Sequence, residues 1–179
     1  MLQTDHISFK RLQLSDLPLI CRWLNEPHVH EWYDDDKENT LEDVTTRYGP
    51  EVRGEEPTDG YLAFYEDKPV GYIQMCKVHD YPEFGPFLGY DNATAGVDLF
   101  IGEIDYMGKG LGNLMLKKFL KEIVFSRDDI QTCIIDPDPA NIRAIKSYEK
   151  AGFTYVKTID IPADPGGSYI MELRKVDVL

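Results

Sequence analysis

Apolar and polar positions along this 179-residue chain fall into blocks, and the blocks predict its elements. His6-Ile7-Ser8-Phe9-Lys10-Arg11-Leu12 alternates and reads as a first strand. Leu17, Ile20, Trp23 and Leu24 recur at helical spacing behind Ser15, which suits an N-cap, and Asn25-Glu26-Pro27 ends that helix. His28 to Tyr33 forms a short second helix. Thr40-Leu41-Glu42-Asp43 has capping-box spacing with Asp in the usual Glu position. It predicts a third helix through Val44 to about Tyr48, with Gly49-Pro50 and residues 54–60 as loop. Residues 61–65 and 70–75 are two strands joined by a tight hairpin at Glu66-Asp67-Lys68-Pro69. Residues 78–92 form a long loop rich in Tyr, Pro, Phe and Gly, of the length that lids have. A strand at 95–102, a helix from a glycine turn to about Phe125 and a strand at 131–135 follow. Next comes a helix to Lys150, with Asp138 as its cap and Pro139 at its first position, then strands at 153–160 and 168–174. This order is mixed α/β, with helices flanking one central sheet.

Composition places the chain among ordinary soluble domains, with 42% hydrophobic and 28% charged residues and a length that suits one domain, 1–179. No apolar run reaches membrane-spanning length, and Met1-Leu2-Gln3-Thr4-Asp5 lacks the layout of a signal peptide. Cys21, Cys76 and Cys133 are scattered and odd in number, without the spacing of a metal site, so a reducing cytoplasm and no metal are expected. The net charge of −13 changes the picture more. Such a chain repels nucleic acid and anionic membrane surface and attracts cations. Solubility alone accounts for a charge of this kind. Acids gathered near a pocket point instead to a polycationic partner.

Two motifs carry candidate chemistry. Met107-Gly108-Lys109-Gly110-Leu111-Gly112 lies between a strand and a helix. Successive amides in such a turn form an anion-binding nest, the helix N-terminus adds partial positive charge, and Lys109 adds a full one. The spacing is neither a Walker loop nor a dinucleotide fingerprint, and a purely structural turn accounts for it equally well. In the second motif, residues 136–148, Asn141 and Tyr148 stand seven apart and so lie near one helix face. Spacing alone favours a half-buried core tyrosine at 148. On the strand at 95–102, Asp98 alternates with Val97 and Leu99 and faces away from them. A carboxylate in a sheet interior is uncommon without a function or a partner.

The glycine turn resembles the pyrophosphate loop of the GNAT superfamily of acyl-CoA N-acyltransferases. Asp136-Pro137-x-Pro139-x-Asn141-x-Arg143-Ala144-Ile145-x-x-Tyr148-Glu149-Lys150-Ala151-Gly152-Phe153 is similar to its C-terminal motif. Three further pieces resemble the bacterial aminoglycoside 6'-N-acetyltransferases more narrowly. They are Trp23-Leu24-Asn25 with Glu31-Trp32-Tyr33, then Pro69-Val70-Gly71-Tyr72-Ile73-Gln74, then Gly96-Val97-Asp98-x-Phe100-Ile101-Gly102-Glu103. The resemblance is collinear over almost the whole chain. Met107 stands where the superfamily usually has Arg or Gln.

The resemblance implies a GNAT fold, a mixed sheet of about six to seven strands splayed between the fourth and fifth. It implies acetyl-CoA as co-substrate, held by Met107, Gly108, Lys109, Gly110, Leu111 and Gly112, with Phe100, Ile101, Asn141 and Tyr148 along its arm. Asp98 then binds the reacting ammonium and accepts its proton, and Tyr148 protonates the departing thiolate. Asp136 docks a second ammonium, with Asp164 as a further candidate. Trp32 and Tyr33 pack against sugar rings, or under a helix in the core. Asp34-Asp35-Asp36 is a solvated run that helps gather cations. The expected acceptor is a polycationic small-molecule amine, foremost an aminoglycoside at its 6'-amine, and the expected protein is a monomer or homodimer. A polyamine, a siderophore precursor or a protein N-terminus is the alternative acceptor. A non-catalytic acyl-CoA- or drug-binding protein is the alternative of another class.

Overall fold

The computed structural model describes residues 2–33, 37–82, 88–161 and 164–178, and the side chains of 161 and 164–166 stand outside that description. The Asp34-Asp35-Asp36 run, residues 83–87 of the long loop, and residues 162 and 163 lie outside the described residues. Seven strands form one sheet in the order β1-β2-β3-β4-β5-β7-β6, where β1 is Ile7–Arg11, β2 Asp59–Tyr65, β3 Lys68–Lys77, β4 Thr94–Ile101, β5 Thr132–Ile135, β6 Thr154–Ile161 and β7 Asp164–Arg174. The helices are α1 Leu17–Leu24, α2 Pro27–Tyr33, α3 Leu41–Arg53, α4 Leu111–Phe119 and α5 Ile142–Ala151. The chain divides into two compact units, Met1–Gln74 with Leu99–Gly112, and Met75–Asp98 with Asn113–Leu179.

In the first unit, α1 buries Leu17, Ile20, Trp23 and Leu24, the stripe its spacing predicts. Its entry differs from the expected Ser15 cap. A 3-10 turn at Leu14–Asp16 comes first, closed by a capping box in which the Gln13 amide donates to Asp16 Oδ2 at 2.9 Å. The second capping box is as the sequence predicts. Asp43 N–H donates to Thr40 Oγ1 at 3.1 Å and Thr40 N–H to Asp43 Oδ2 at 3.0 Å. Hydrogen bonds from the Thr40 side chain and backbone, then from Lys37, hold the Asp43 carboxyl down to about 2. The helix it starts does not stop at Tyr48, however. Gly49 and Pro50 lie inside α3, which ends only at Gly54, with φ 72°. Val44 and Tyr48 are buried, and Val52 packs on the same cluster. That i, i+4, i+8 stripe carries the helix past the one hydrogen bond Pro50 forgoes.

In the second unit, β5 pairs antiparallel with β7 from Thr132↔Arg174 to Ile135↔Met171. On its other side β5 runs parallel to β4 for three pairs, Thr94↔Thr132, Ala95↔Cys133 and Gly96↔Ile134. The ladder ends there, while β4 continues through Val97 and Asp98. This is the splay between the fourth and fifth strands that the resemblance implied. Val78, Leu88, Ile134 and Ile170 form a buried cluster of this unit. Among the described residues no helix is long and apolar enough to cross a membrane.

Candidate functional site

The glycine turn leads straight into α4. Gly108 and Gly110 take φ of 72° and 84°, the left-handed region that glycine enters without a Cβ penalty, and open space surrounds both. Their amides take no backbone acceptor among the described residues, and the first amides of α4 follow them. The turn therefore presents unfilled N–H donors to solvent at the positive end of a nine-residue helix, beside Lys109. It fits a doubly charged anion such as a pyrophosphate. Met107 precedes the turn in an extended conformation.

Phe100 is buried and stands among Tyr33, Tyr72 and Trp23, with ring centroids 5.1, 5.6 and 6.2 Å away. Tyr33 thus packs edge-on into the core, the second of its two expected roles, while Trp32 is exposed on α2. The Ile101 carbonyl accepts from His28 Nε2 at 3.0 Å. A carbonyl only accepts, so His28 carries its proton on Nε2.

The acids assemble in the second unit. Asp98 is half-buried on β4, and Asp136 is exposed just past the last residue of β5. Tyr148 is buried on α5 at 8% exposure. Burial, and after it the charges of Asp98 and Asp136, raise the Tyr148 phenol well above the ordinary tyrosine value. The three residues the sequence singled out are therefore electrostatic neighbours. Cys76 and Asp80, to which sequence reasoning gave no role, stand with them. Burial first, then Asp136, Asp80 and Asp98, push the Cys76 thiol up to about 12, although the Gly96 backbone opposes this by hydrogen-bonding to the sulfur. A Cβ on Gly96 would stand 3.7 Å from that sulfur. Cys76 is therefore a neutral thiol at physiological pH and no nucleophile.

The cap of α5 departs from expectation, and Asn141 supplies it, accepting the Ala144 amide on Oδ1 at 3.1 Å. Asp138, the expected cap, instead accepts the Ala140 amide at 2.7 Å and closes a turn one step earlier. The chain is not yet helical at Pro139, so a cap there has no helix to serve. Asp164 opens β7 opposite Ile161, and its side chain lies outside the described residues. No group of three or more His, Cys, Asp or Glu among the described residues is placed to hold a metal.

Residues 13–161 match the family described as acetyltransferase (GNAT) domain. With that match, the splayed sheet and the open glycine turn, the chain belongs to the GNAT acetyltransferases. It is 31% identical over 177 residues to an aminoglycoside N(6')-acetyltransferase type 1 of Klebsiella pneumoniae, covering 96% of this chain and 85% of that protein. Its fold is similar to the crystal structure of the aminoglycoside acetyltransferase AAC(6')-Ib with coenzyme A and kanamycin, with a TM-score of 0.86, 28% identity and 96% of each chain covered. The structure of AAC(6')-Ib with ribostamycin and coenzyme A matches at a TM-score of 0.87 and 29% identity, over 97% of this chain and 96% of that one.

Proposed function

We propose that the protein transfers acetyl from acetyl-CoA to a primary amine of a polycationic small molecule, an aminoglycoside at its 6'-amine. The observation that carries this reading is the meeting of Asp98, Asp136 and Tyr148 in one electrostatic neighbourhood. It stands beside the place where the β4–β5 ladder ends. The similarity to aminoglycoside acetyltransferases over nearly the whole chain supports the choice of acceptor.

Each group then has a task. The Gly108 and Gly110 amides, the start of α4 and Lys109 bind the pyrophosphate of the co-substrate, whose arm runs along the β4 backbone beyond Gly96. Asp98 binds the reacting ammonium and takes a proton from it, directly or through water. The free amine attacks the thioester carbon, so a C–N bond forms as the C–S bond breaks. The nitrogen sheds its second proton to water, from which Tyr148 is reprotonated after it has served the sulfur. Tyr148 returns a proton to the sulfur. Holding amine and thioester as neighbours supplies most of the rate. Asp136 docks a second ammonium, and Asp164 and Trp32 belong to the acceptor side. The protein works as one acetyltransferase domain in the cytoplasm.

Thiol release from acetyl-CoA tests the reading. A kanamycin-class compound with a 6'-amine is expected to turn over, while its 6'-hydroxyl counterpart binds and turns over poorly. A hydroxyl is the weaker nucleophile and brings no cation to Asp98. Equal rates with the two compounds would place the reacting amine elsewhere, and no thiol release with either would reduce the protein to a binder.

A further inference from the structure

One face of the sheet in the second unit carries more than Asp98 and Asp136. Ile134 on β5 lies opposite Glu172 on β7, and the two chains stay paired past Ile135, where the Tyr169 amide donates to the Pro137 carbonyl at 3.0 Å. Side chains alternate along a strand, and partners across a pair share a face. Ile134, Asp136, Ile170 and Glu172 therefore point the same way. On β4, Gly96 lies opposite Ile134, which puts Asp98, two residues on, on that face as well. The contacts agree. Ile134 and Ile170 are buried together with Val78 and Leu88. A Cβ on Gly96 would stand 3.7 Å from Val78 and 3.7 Å from the Cys76 sulfur, the thiol that feels Asp136 and Asp98.

The segment Leu88–Tyr90 lies on this face and is fastened to it. Leu88 puts its side chain into the buried cluster and is 7% exposed. Its carbonyl accepts from Lys157 Nζ at 2.9 Å. Lys157 lies opposite Ile170 on β6, so it rises from the same face. Tyr90 packs half-buried on the same cluster and donates its phenol hydrogen to Glu172 Oε2 at 2.8 Å. Burial, and after it Glu172, raise that phenol above the ordinary tyrosine value, so it remains a donor. Glu172 is the diagonal neighbour of Asp136 across β5 and β7, a spacing of about 7–8 Å that an aromatic side chain bridges.

We infer that Tyr90 is a specificity-determining residue of the acceptor site. Its ring is the wall beside Asp136, and Glu172 and Lys157 are positioning residues that keep the wall in place. This deepens the proposed function and rests on it, because the acceptor is the molecule that Asp98 and Asp136 hold. A ring next to two carboxylates suits an amino sugar. The acids take its ammonium groups, and the aromatic face packs on its C–H surface and attracts a cation. Glu172 turns its carboxylate to the phenol, so its task is to hold the ring.

Steady-state kinetics of the full chain test this, with kanamycin and acetyl-CoA varied separately. Tyr90→Ala removes the wall, and kanamycin KM is expected to rise about tenfold, the size of one desolvated cation–ring contact. Acetyl-CoA KM is expected to stay at the wild-type value. Tyr90→Phe keeps the ring and deletes only its hydrogen bond, for an expected rise in kanamycin KM of about threefold. Glu172→Ala is expected to match Tyr90→Phe. Glu172→Gln still offers the phenol an oxygen and is expected to stay near wild type. Circular dichroism checks each fold, and Tyr90→Phe, which keeps the apolar packing, decides the matter if Tyr90→Ala does not fold. Unchanged kanamycin KM in the folded Tyr90 variants overturns the inference. An equal rise in acetyl-CoA KM also overturns it, as the mark of general loosening. Glu172→Gln as impaired as Glu172→Ala would make Glu172 a substrate-binding carboxylate and overturn its positioning role. If the wild-type protein releases no thiol with kanamycin, the acetyltransfer reading fails and this inference with it. If it does and the variants match it, this inference alone fails.

Discussion

In the resting protein Tyr148 holds its hydrogen, because burial and then two nearby carboxylates oppose its ionisation. It can give a proton and has no site to take one, and the departing thiolate is the base such an acid serves. Tyr148→Phe preserves the ring and deletes the hydrogen. The expected result is a fall in kcat of about 10²- to 10⁴-fold at nearly unchanged KM for acetyl-CoA. The raised phenol adds a sign. Ionisation of Tyr148 is expected to put no alkaline limb on wild-type kcat up to about pH 10, the value at which an ordinary tyrosine titrates. Wild-type turnover in Tyr148→Phe returns the residue to core packing, the role that spacing alone favoured. Asp98 was legible because a carboxylate breaks an apolar alternation. Cys76 was not. In Tyr72-x-Gln74-x-Cys76 the polar positions alternate plainly along one strand. Alternation shows the face and says nothing of what the Asp136 turn brings up against it.

At the scale of elements, the sequence was legible wherever one local rule acted alone. The Thr40–Asp43 box, the helical stripes and the tight hairpin after Tyr65 are of that kind, although the turn is Glu66-Asp67 alone, with Glu66 at φ 56°, and Lys68 and Pro69 already belong to β3. It misled where a local rule met a packing rule. Gly49-Pro50 signals a loop, and the stripe through Val44, Tyr48 and Val52 overrules it. Asp138 and Asn141 are both good caps three residues apart, and no pattern decides which one the helix uses. The glycine turn is the element on which co-substrate binding rests. Gly110→Asp puts bulk and a negative charge where the open amides stand, at a φ of 84° that side chains rarely adopt. The position is exposed at the rim of α4, so the fold is expected to hold with a small loss of stability, seen by circular dichroism. Calorimetry is expected to show CoA affinity lowered by at least tenfold. Unchanged affinity in the folded variant removes the turn from the pyrophosphate site.

For the whole molecule, the net charge of −13 and the local acids do different work, and salt separates them. The long-range field gathers a polycation from solution and is screened over about 10 Å at 0.1 M salt. Asp98 acts at contact distance on one ammonium. For the wild-type protein, acceptor KM is expected to rise with salt, more steeply for acceptors that carry more ammonium groups, while kcat changes little. Asp98→Asn removes one of thirteen net charges, so the field that gathers the acceptor hardly changes. The salt slope of KM is therefore expected to persist in the variant. Its kcat is expected to fall by about 10²-fold or more, because the group that holds the ammonium and takes its proton is gone. A rise in KM at full kcat would mean that Asp98 supplied only uniform binding. A salt slope that vanishes in Asp98→Asn would mean that one carboxylate, rather than the charge of the whole chain, captures the acceptor.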